Sequence, residues 1–352
     1  MTKTGSSTTI KPSLPVLPTQ SALLRNMSLT SILVGALLTP EVSSACASCG
    51  CTLSSDFLSQ GLAAKHGFMF DLRYDYLNQD QLRSGTGTIS PVDASKVDNG
   101  TREVEKYTKN QYITLGIDYI VNHDWSINLQ VPYIKRKHST LGTGSDGINP
   151  GDEAYDSDTS NVGDVKVVGR YLGFTPQHNF GAIFGLKLPT GSHSQTGIST
   201  DPNSPGEVAD IDPGLQPGTG STDVIAGLNY FDSLNRDWDY FSQIIYQAAV
   251  AHRSGYKPGN GLNLNLGLRY MEYVSVIPQI QLNIRNVQTD SGELADTYAT
   301  GGTLTYLSPG IIVKVTNNAS LYGVVQFPIY QDLKGIQLAP RYVASVGAHF
   351  AI

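Results

Sequence analysis

The sequence predicts an all-β fold, a transmembrane antiparallel up-and-down β-barrel of about twelve strands. Three observations carry that expectation. Apolar and polar residues alternate with a period of two from about residue 66 onward, the connections between alternating runs are short and long in turn, and an export signal precedes the pattern. A single domain over residues 66 to 352 accommodates the whole pattern, since barrels of this length commonly fold as one unit.

The export signal comes first in the chain. Lys3, Lys11 and Arg25 precede an apolar run from Leu29 to Leu38, and Pro40 and the small residues Ser43, Ser44 and Ala45 follow it. This is the layout of a secretory signal, with cleavage expected after Ala45. Met27 is a second candidate start, but starting there discards every basic residue ahead of the run. The run is about ten residues long, half of what a spanning helix requires, so a retained membrane helix is the weaker reading. Residues 1–45 are read as a signal peptide and residues 46–65 as a Cys-containing periplasmic segment. No later segment has the length of a spanning helix, so a membrane protein with this sequence must cross with strands.

Composition narrows the classes further. Charged residues are only 15% of the chain while Gly and Tyr number 36 and 19, which suits neither a disordered chain nor a helical membrane protein. A net charge of −6 and no basic run longer than Lys135-Arg136-Lys137 leave no footprint for nucleic acid.

The strands follow in order. Phe68, Phe70, Leu72, Tyr74 and Tyr76 alternate with Asp71, Arg73 and Asp75, giving one apolar and one charged face. Ile113 to Val121 and Trp125 to Tyr133 repeat the pattern, with Asp118, Asn128 and Gln130 on the polar side and Asn122-His123-Asp124 as the turn. Val165, Val167 and Tyr171 oppose Lys166 and Arg170, and Phe184, Leu186 and Leu188 oppose Lys187. Val224, Leu228 and Tyr230 oppose Asp223 and Asn229, while Trp238, Ile244 and Tyr246 oppose Gln243. Leu262, Leu264, Leu266 and Leu268 oppose Asn263, Asn265 and Arg269, and Ile280, Leu282 and Ile284 oppose Gln281 and Arg285. Three fainter strands near residues 303 to 315, 319 to 330 and 337 to 352 complete the set, and Arg341 takes the polar parity of the last.

A soluble barrel also alternates, so the loops decide. Long Gly-, Asp- and Pro-rich connections near 78 to 106, 138 to 161, 190 to 220 and 287 to 302 face short ones at the other end, the asymmetry of outer-membrane barrels. Tyr and Trp gather at strand ends, as interfacial girdles require. The last strand alternates to an apolar C-terminus, with Phe350 third from the end.

Val162-Gly163-Asp164-Val165-Lys166, then Leu188-Pro189-Thr190-Gly191, then Gly218-Thr219-Gly220-Ser221-Thr222-Asp223, resemble elements of the transporter-like outer-membrane barrels named for the meta-pathway of phenol degradation. The resemblance is close over roughly residues 125 to 250 and architectural elsewhere. It implies a barrel in the cell outer membrane associated with movement of small organic molecules, without implying which. The same residues have a structural reading, which we prefer: glycines loosen strand starts and Pro189 ends a ladder.

Cys46, Cys49 and Cys51 stand just after the expected cleavage site. Three outcomes stay open: a disulfide or redox role in an oxidising compartment, a soft metal such as Cu(I) or Zn(II) held by three thiolates, and a lipid on Cys46. Haem attachment is excluded because Gly50, not His, follows Cys49. None of the seven His sits in a motif that connects it to a nucleophile, so the chain is read as no enzyme, with no cofactor expected.

The expected function is passive permeation of small organic or polar solutes. About twelve strands give a backbone diameter of roughly 24 Å, narrowed by inward side chains to a small or partly plugged pore. Expected lumen residues are Asp71, Arg73, Asp75, Asp118, Asn128, Gln130, Lys166, Arg170, Lys187, Asp223, Asn229, Gln243, Arg269, Gln281, Arg285 and Arg341. The arginines among them are expected to bias the pore toward anionic or polar aromatic solutes. Outer-membrane lipid and a small solute are the expected partners. The alternative is a barrel that binds a metal or a periplasmic redox partner through the Cys cluster.

Overall fold

The computed structural model describes residues 66–253, 255–273 and 275–352. The expected signal peptide, the segment 46–65 and its three cysteines lie outside the described residues.

Fifteen strands follow one another: β1 (Gly67–Gly85), β2 (Gly87–Thr88), β3 (Glu105–Ile120), β4 (Trp125–Thr140), β5 (Tyr155–Val162), β6 (Val165–Tyr171), β7 (Phe180–Leu188), β8 (Thr196–Ser199), β9 (Val208–Asp210), β10 (Thr222–Ser233), β11 (Trp238–Ala251), β12 (Gly261–Tyr270), β13 (Val276–Val287), β14 (Gly302–Lys314) and β15 (Ala319–Ala351). Pairing runs from β1 through β15, β14, β13, β12, β11, β10, β7, β6, β4 and β3 back to β1. Eleven elements therefore close a ring with antiparallel neighbours. β15 contributes twice, because it pairs with β14 through residues 320–333 and with β1 through residues 333–351. The chain reverses at Lys334-Gly335, where Gly335 takes a φ of +63°, and Gln331 Nε2 donates across the two arms to Pro340 O at 3.1 Å. The staves accordingly number twelve, as the sequence pattern predicts.

β5 and β6 form one further composite stave. β4 pairs with β6 through residues 125–130 and with β5 through residues 133–139, so the stave breaks only at Gly163-Asp164. Ile352 N donates to Phe68 O at 2.9 Å, which brings the last residue beside the start of β1 at the end where the connections are short. Two of those short turns repeat one device: the side-chain oxygen of Asn122 accepts from Asp124 N and Trp125 N, and that of Asn235 accepts from Asp237 N and Trp238 N.

The faces are inverted relative to a water-soluble barrel. Leu72 is 54% exposed and Ile127 49%, whereas Asp75 and Arg170 are 2% and 1% exposed. Apolar side chains outside and charges inside suit hydrocarbon rather than water as the surroundings, and the fold is a transmembrane barrel. At the short-turn end Phe68 packs on Tyr119, Trp125 on Tyr171 and Trp238 on Tyr270, with ring centroids 4.7–4.9 Å apart, as in an interfacial girdle.

Two expectations are corrected. Much of residues 78–106 and 138–161 is not loop: β1 continues to Gly85, β3 begins at Glu105, β4 reaches Thr140 and β5 occupies Tyr155–Val162. Here the outward residues are charged, as in the exposed pair Lys137–Asp158 at 2.9 Å, so the strands rise beyond the apolar belt and lose the alternation that marks them below it. The inward face is also not uniformly polar. Val168, Ile183 and Ile225 pack together inside with Ile245, and Leu77, Leu304, Tyr306, Leu333, Ala339 and Val343 form a second buried cluster beside the β15 hairpin.

Candidate functional site

The three segments that resemble a known family meet at one place. Asp164 sits at the break between β5 and β6, where its carboxylate accepts from Gly191 N at 3.0 Å, Thr219 N at 2.9 Å and Thr219 Oγ1 at 2.7 Å. Lys187 lies 3.4 Å from Asp164 and 2.9 Å from Asp223, and donates to Ser221 Oγ at 2.9 Å. Thr190 Oγ1 closes the arrangement by donating to Gly163 O at 3.2 Å. A side chain on Gly191 or Gly218 would overlap the backbone of the other segment. Charge, hydroxyl and glycine positions that are far apart in sequence thus form one buried network, which holds the connection between β7 and β10 against the barrel wall.

That connection turns inward. Gly214 O accepts from Arg136 Nη1 at 3.1 Å, and Gly214, Gln216 and Pro217 help to line a cavity of about 250 Å³ within the barrel. Above the belt, Glu153 N and Asn203 N donate to the Asp201 carboxylate at 3.0 and 2.7 Å. The backbone amides of Asn203 and Glu153 hold that carboxyl below the usual range.

The sequence-predicted site residues distribute as follows. Arg73, Gln130, Lys166, Lys187, Asp223 and Arg285 line the cavity. Arg73 pairs with Asp75 at 2.8 Å, and Ser345 Oγ donates to the same Asp75 carboxylate at 2.6 Å. Asp118 pairs with Arg170 at 3.2 Å, and Asn128 accepts from Gln130 at 2.7 Å. Asp71 accepts from Tyr322 OH at 3.1 Å, and Arg269 lies over the Phe241 ring at 5.1 Å. Asn265 bridges Gln243 and Asn283, and Asn283 also donates to Gln281 at 3.3 Å. Asn229 is buried at the β7–β10 pairing.

Arg341 is the exception. It is exposed and pairs at 3.0 Å with Asp80, which lies on the outward parity of β1. The register between β1 and β15 shifts between Leu77 and Gln79, opposite this position, and the shift turns Arg341 off the inward face.

Sequence reasoning missed Tyr112, Arg136, Gln216 and Asp290. Arg136 is 7% exposed and donates hydrogen bonds to Asn110 Oδ1 and Tyr112 OH as well as to the inward connection at Gly214 O. Its parity with Ile134 and His138 on β4 was the available signal. Among the described residues no group of His, Cys, Asp and Glu is arranged to hold a metal ion.

No protein-family model matches the chain, and no curated protein matches it. Solved structures do. An outer membrane channel from Pseudomonas putida F1 superposes with a TM-score of 0.53 at 13% identity, over 82% of this chain and 97% of that one. The shared feature is the barrel fold. A channel described as the monoaromatic hydrocarbon channel CymD gives 0.43 at 8% identity, over 82% and 89%. The Pseudomonas putida toluene transporter TodX gives 0.42 at 11% identity, over 89% and 96%.

Proposed function

We propose that this chain is an outer-membrane channel for passive permeation of small organic or polar solutes. The observation that carries the reading is a cavity lined by both charged and apolar groups inside a closed ring of staves whose outer surface is apolar. A barrel serving only as an anchor has no need of Arg73, Lys166 and Arg285 around an internal space; charged linings of this kind select solutes in pores. Gly214, Gln216, Pro217 and Thr219 of the inward connection form part of the cavity's lining. The long connections face outward from the cell in this reading and the short turns face the periplasm.

Membership of the family named for the meta-pathway of phenol degradation belongs to the same proposal, supported by the convergence of the Gly163-Asp164, Pro189-Thr190-Gly191 and Gly218–Asp223 segments in one network. Export by the N-terminal signal, with Cys46 at or near the mature N-terminus, completes it. Insertion of the purified chain into a planar bilayer should give discrete conductance steps. Fractionation should place it with the outer membrane, and mass spectrometry should find the new terminus near Cys46. A chain that fractionates as a soluble periplasmic protein overturns the reading.

A further inference from the structure

The charges around the internal cavity do not balance. Three carboxylates line it, and each is engaged. Asp164 is held by Gly191 and Thr219, Asp223 by Lys187 and Ser221, and Asp290 by Tyr256 OH at 2.8 Å and Gly259 N at 2.7 Å. Of the cations, Arg73 faces Asp75, Lys187 faces Asp164 and Asp223, and Arg136 is bonded to Asn110, Tyr112 and Gly214. Two cations remain. Lys166 has no hydrogen-bond or ion-pair partner among the described residues, and besides burial the charges acting on it are Lys187, Arg285, Asp223 and Arg73, three of them positive. Among the described residues Arg285 meets only the side-chain oxygen of Asn263, at 3.3 Å from Nη1, and its buried Nε has no acceptor.

Lys166 and Arg285 are partly buried, and the charge around Lys166 is mostly positive, Arg285 included. Two cations held near each other repel, and an incoming anion relieves that repulsion. The same space has an apolar wall, made by Pro132, Ile134, Pro217 and Val287 with the Tyr112 ring. At about 250 Å³ it falls just below the range of ligand pockets, which sets the scale of the occupant at a single small ring or short chain. We propose that Lys166 and Arg285 form a binding site for a small organic carboxylate, its charge between the two cations and its apolar body against the Pro132–Ile134 wall. The inference rests on the channel reading for its role in transport, but binding itself does not require an open path.

Two measurements on the full-length folded barrel separate these. Equilibrium dialysis of the detergent-solubilised barrel with labelled benzoate should show saturable binding, absent for the neutral benzyl alcohol and weaker for inorganic phosphate. The double variant Lys166→Gln, Arg285→Gln should lose about tenfold or more in benzoate affinity, the size expected from one charge-assisted hydrogen bond. Heat-modifiable gel mobility establishes that the variant is folded. Equal affinity of wild type and folded variant, or equal binding of benzoate and benzyl alcohol, overturns the site. In a planar bilayer the wild-type current should fall as benzoate saturates the site, and this block should weaken in the variant. Benzoate binding in dialysis without any conductance would leave the site standing and sink the channel.

Discussion

Leu266 and Asn265 are adjacent in sequence and live in different media. Leu266 is 41% exposed on the apolar belt, whereas Asn265 is buried between Gln243 and Asn283. Leu266→Arg should therefore destabilise the barrel by about 2–4 kcal/mol, the cost of a cation at lipid mid-depth, while Asn265→Arg should cost less and act mainly on conduction. The fraction of heat-resistant folded band on a gel checks this; equal losses would contradict the assigned faces. A second pair tests position rather than charge. Arg341→Gln should leave the reversal potential in a salt gradient unchanged, because Arg341 faces outward with Asp80, whereas Arg285→Gln should shift it toward cations. Both side chains carry one positive charge on the same expected parity, so the contrast isolates the register shift that separates them.

Among the elements, the connection between β7 and β10 depends on few groups. Asp164 supplies acceptors to Gly191 and Thr219 and a counter-charge to Lys187, so Asp164→Ala strands buried donors and should weaken the local attachment by about 3 kcal/mol or more. The staves themselves lose no pairing. Limited proteolysis should then cut between residues 189 and 221 in the variant at protease concentrations that spare the wild type, with the heat-modifiable barrel retained. The tie through Asp201 has a pH dependence of defined sign. Its folded carboxyl titrates below the ordinary value, so the contribution is fully present above about pH 4 and is lost as pH falls through the depressed value. The amide resonances of Glu153 and Asn203 should move together over that acid window and stay fixed in Asp201→Asn.

Legibility in the sequence also varied by element. β12 and β13 were plain, since Leu262 to Leu268 and Ile280 to Ile284 touch lipid at every second position while Asn265 and Gln281 turn inward. The upper parts of β3, β4 and β5 were not, because above the belt both faces of a stave can be polar, and Lys135, Lys137 and Asp158 give no contrast with their neighbours. The site was half legible. Parity identified Lys166, Lys187 and Arg285, but it could not show that Lys187 is neutralised while Lys166 is not, since the neutralising carboxylates come from distant segments. Ile183 and Ile225 escaped notice because an inward apolar residue in a polar lumen breaks the rule that identified the strands.

For the whole molecule, the final hairpin sets how the ring is completed. Gly335 holds a φ of +63°, and a Cβ there would stand 2.5 Å from Tyr298 O, so Gly335→Val combines backbone strain with a clash. Refolding into lipid vesicles, followed by the appearance of the folded band on a gel, should be slower for this variant than for the wild type. Each stave is tied to its neighbour by a loop except at one junction, where β1 and the second arm of β15 meet from Met69–Ala351 up to Gly85–Leu333. Until that seam zips, the sheet has two free edges whose N–H and C=O groups find no partner in hydrocarbon, at several kcal/mol for each group left bare. An open sheet is thus barred from the bilayer interior, and for this chain entering the membrane and fastening its two ends must be one event.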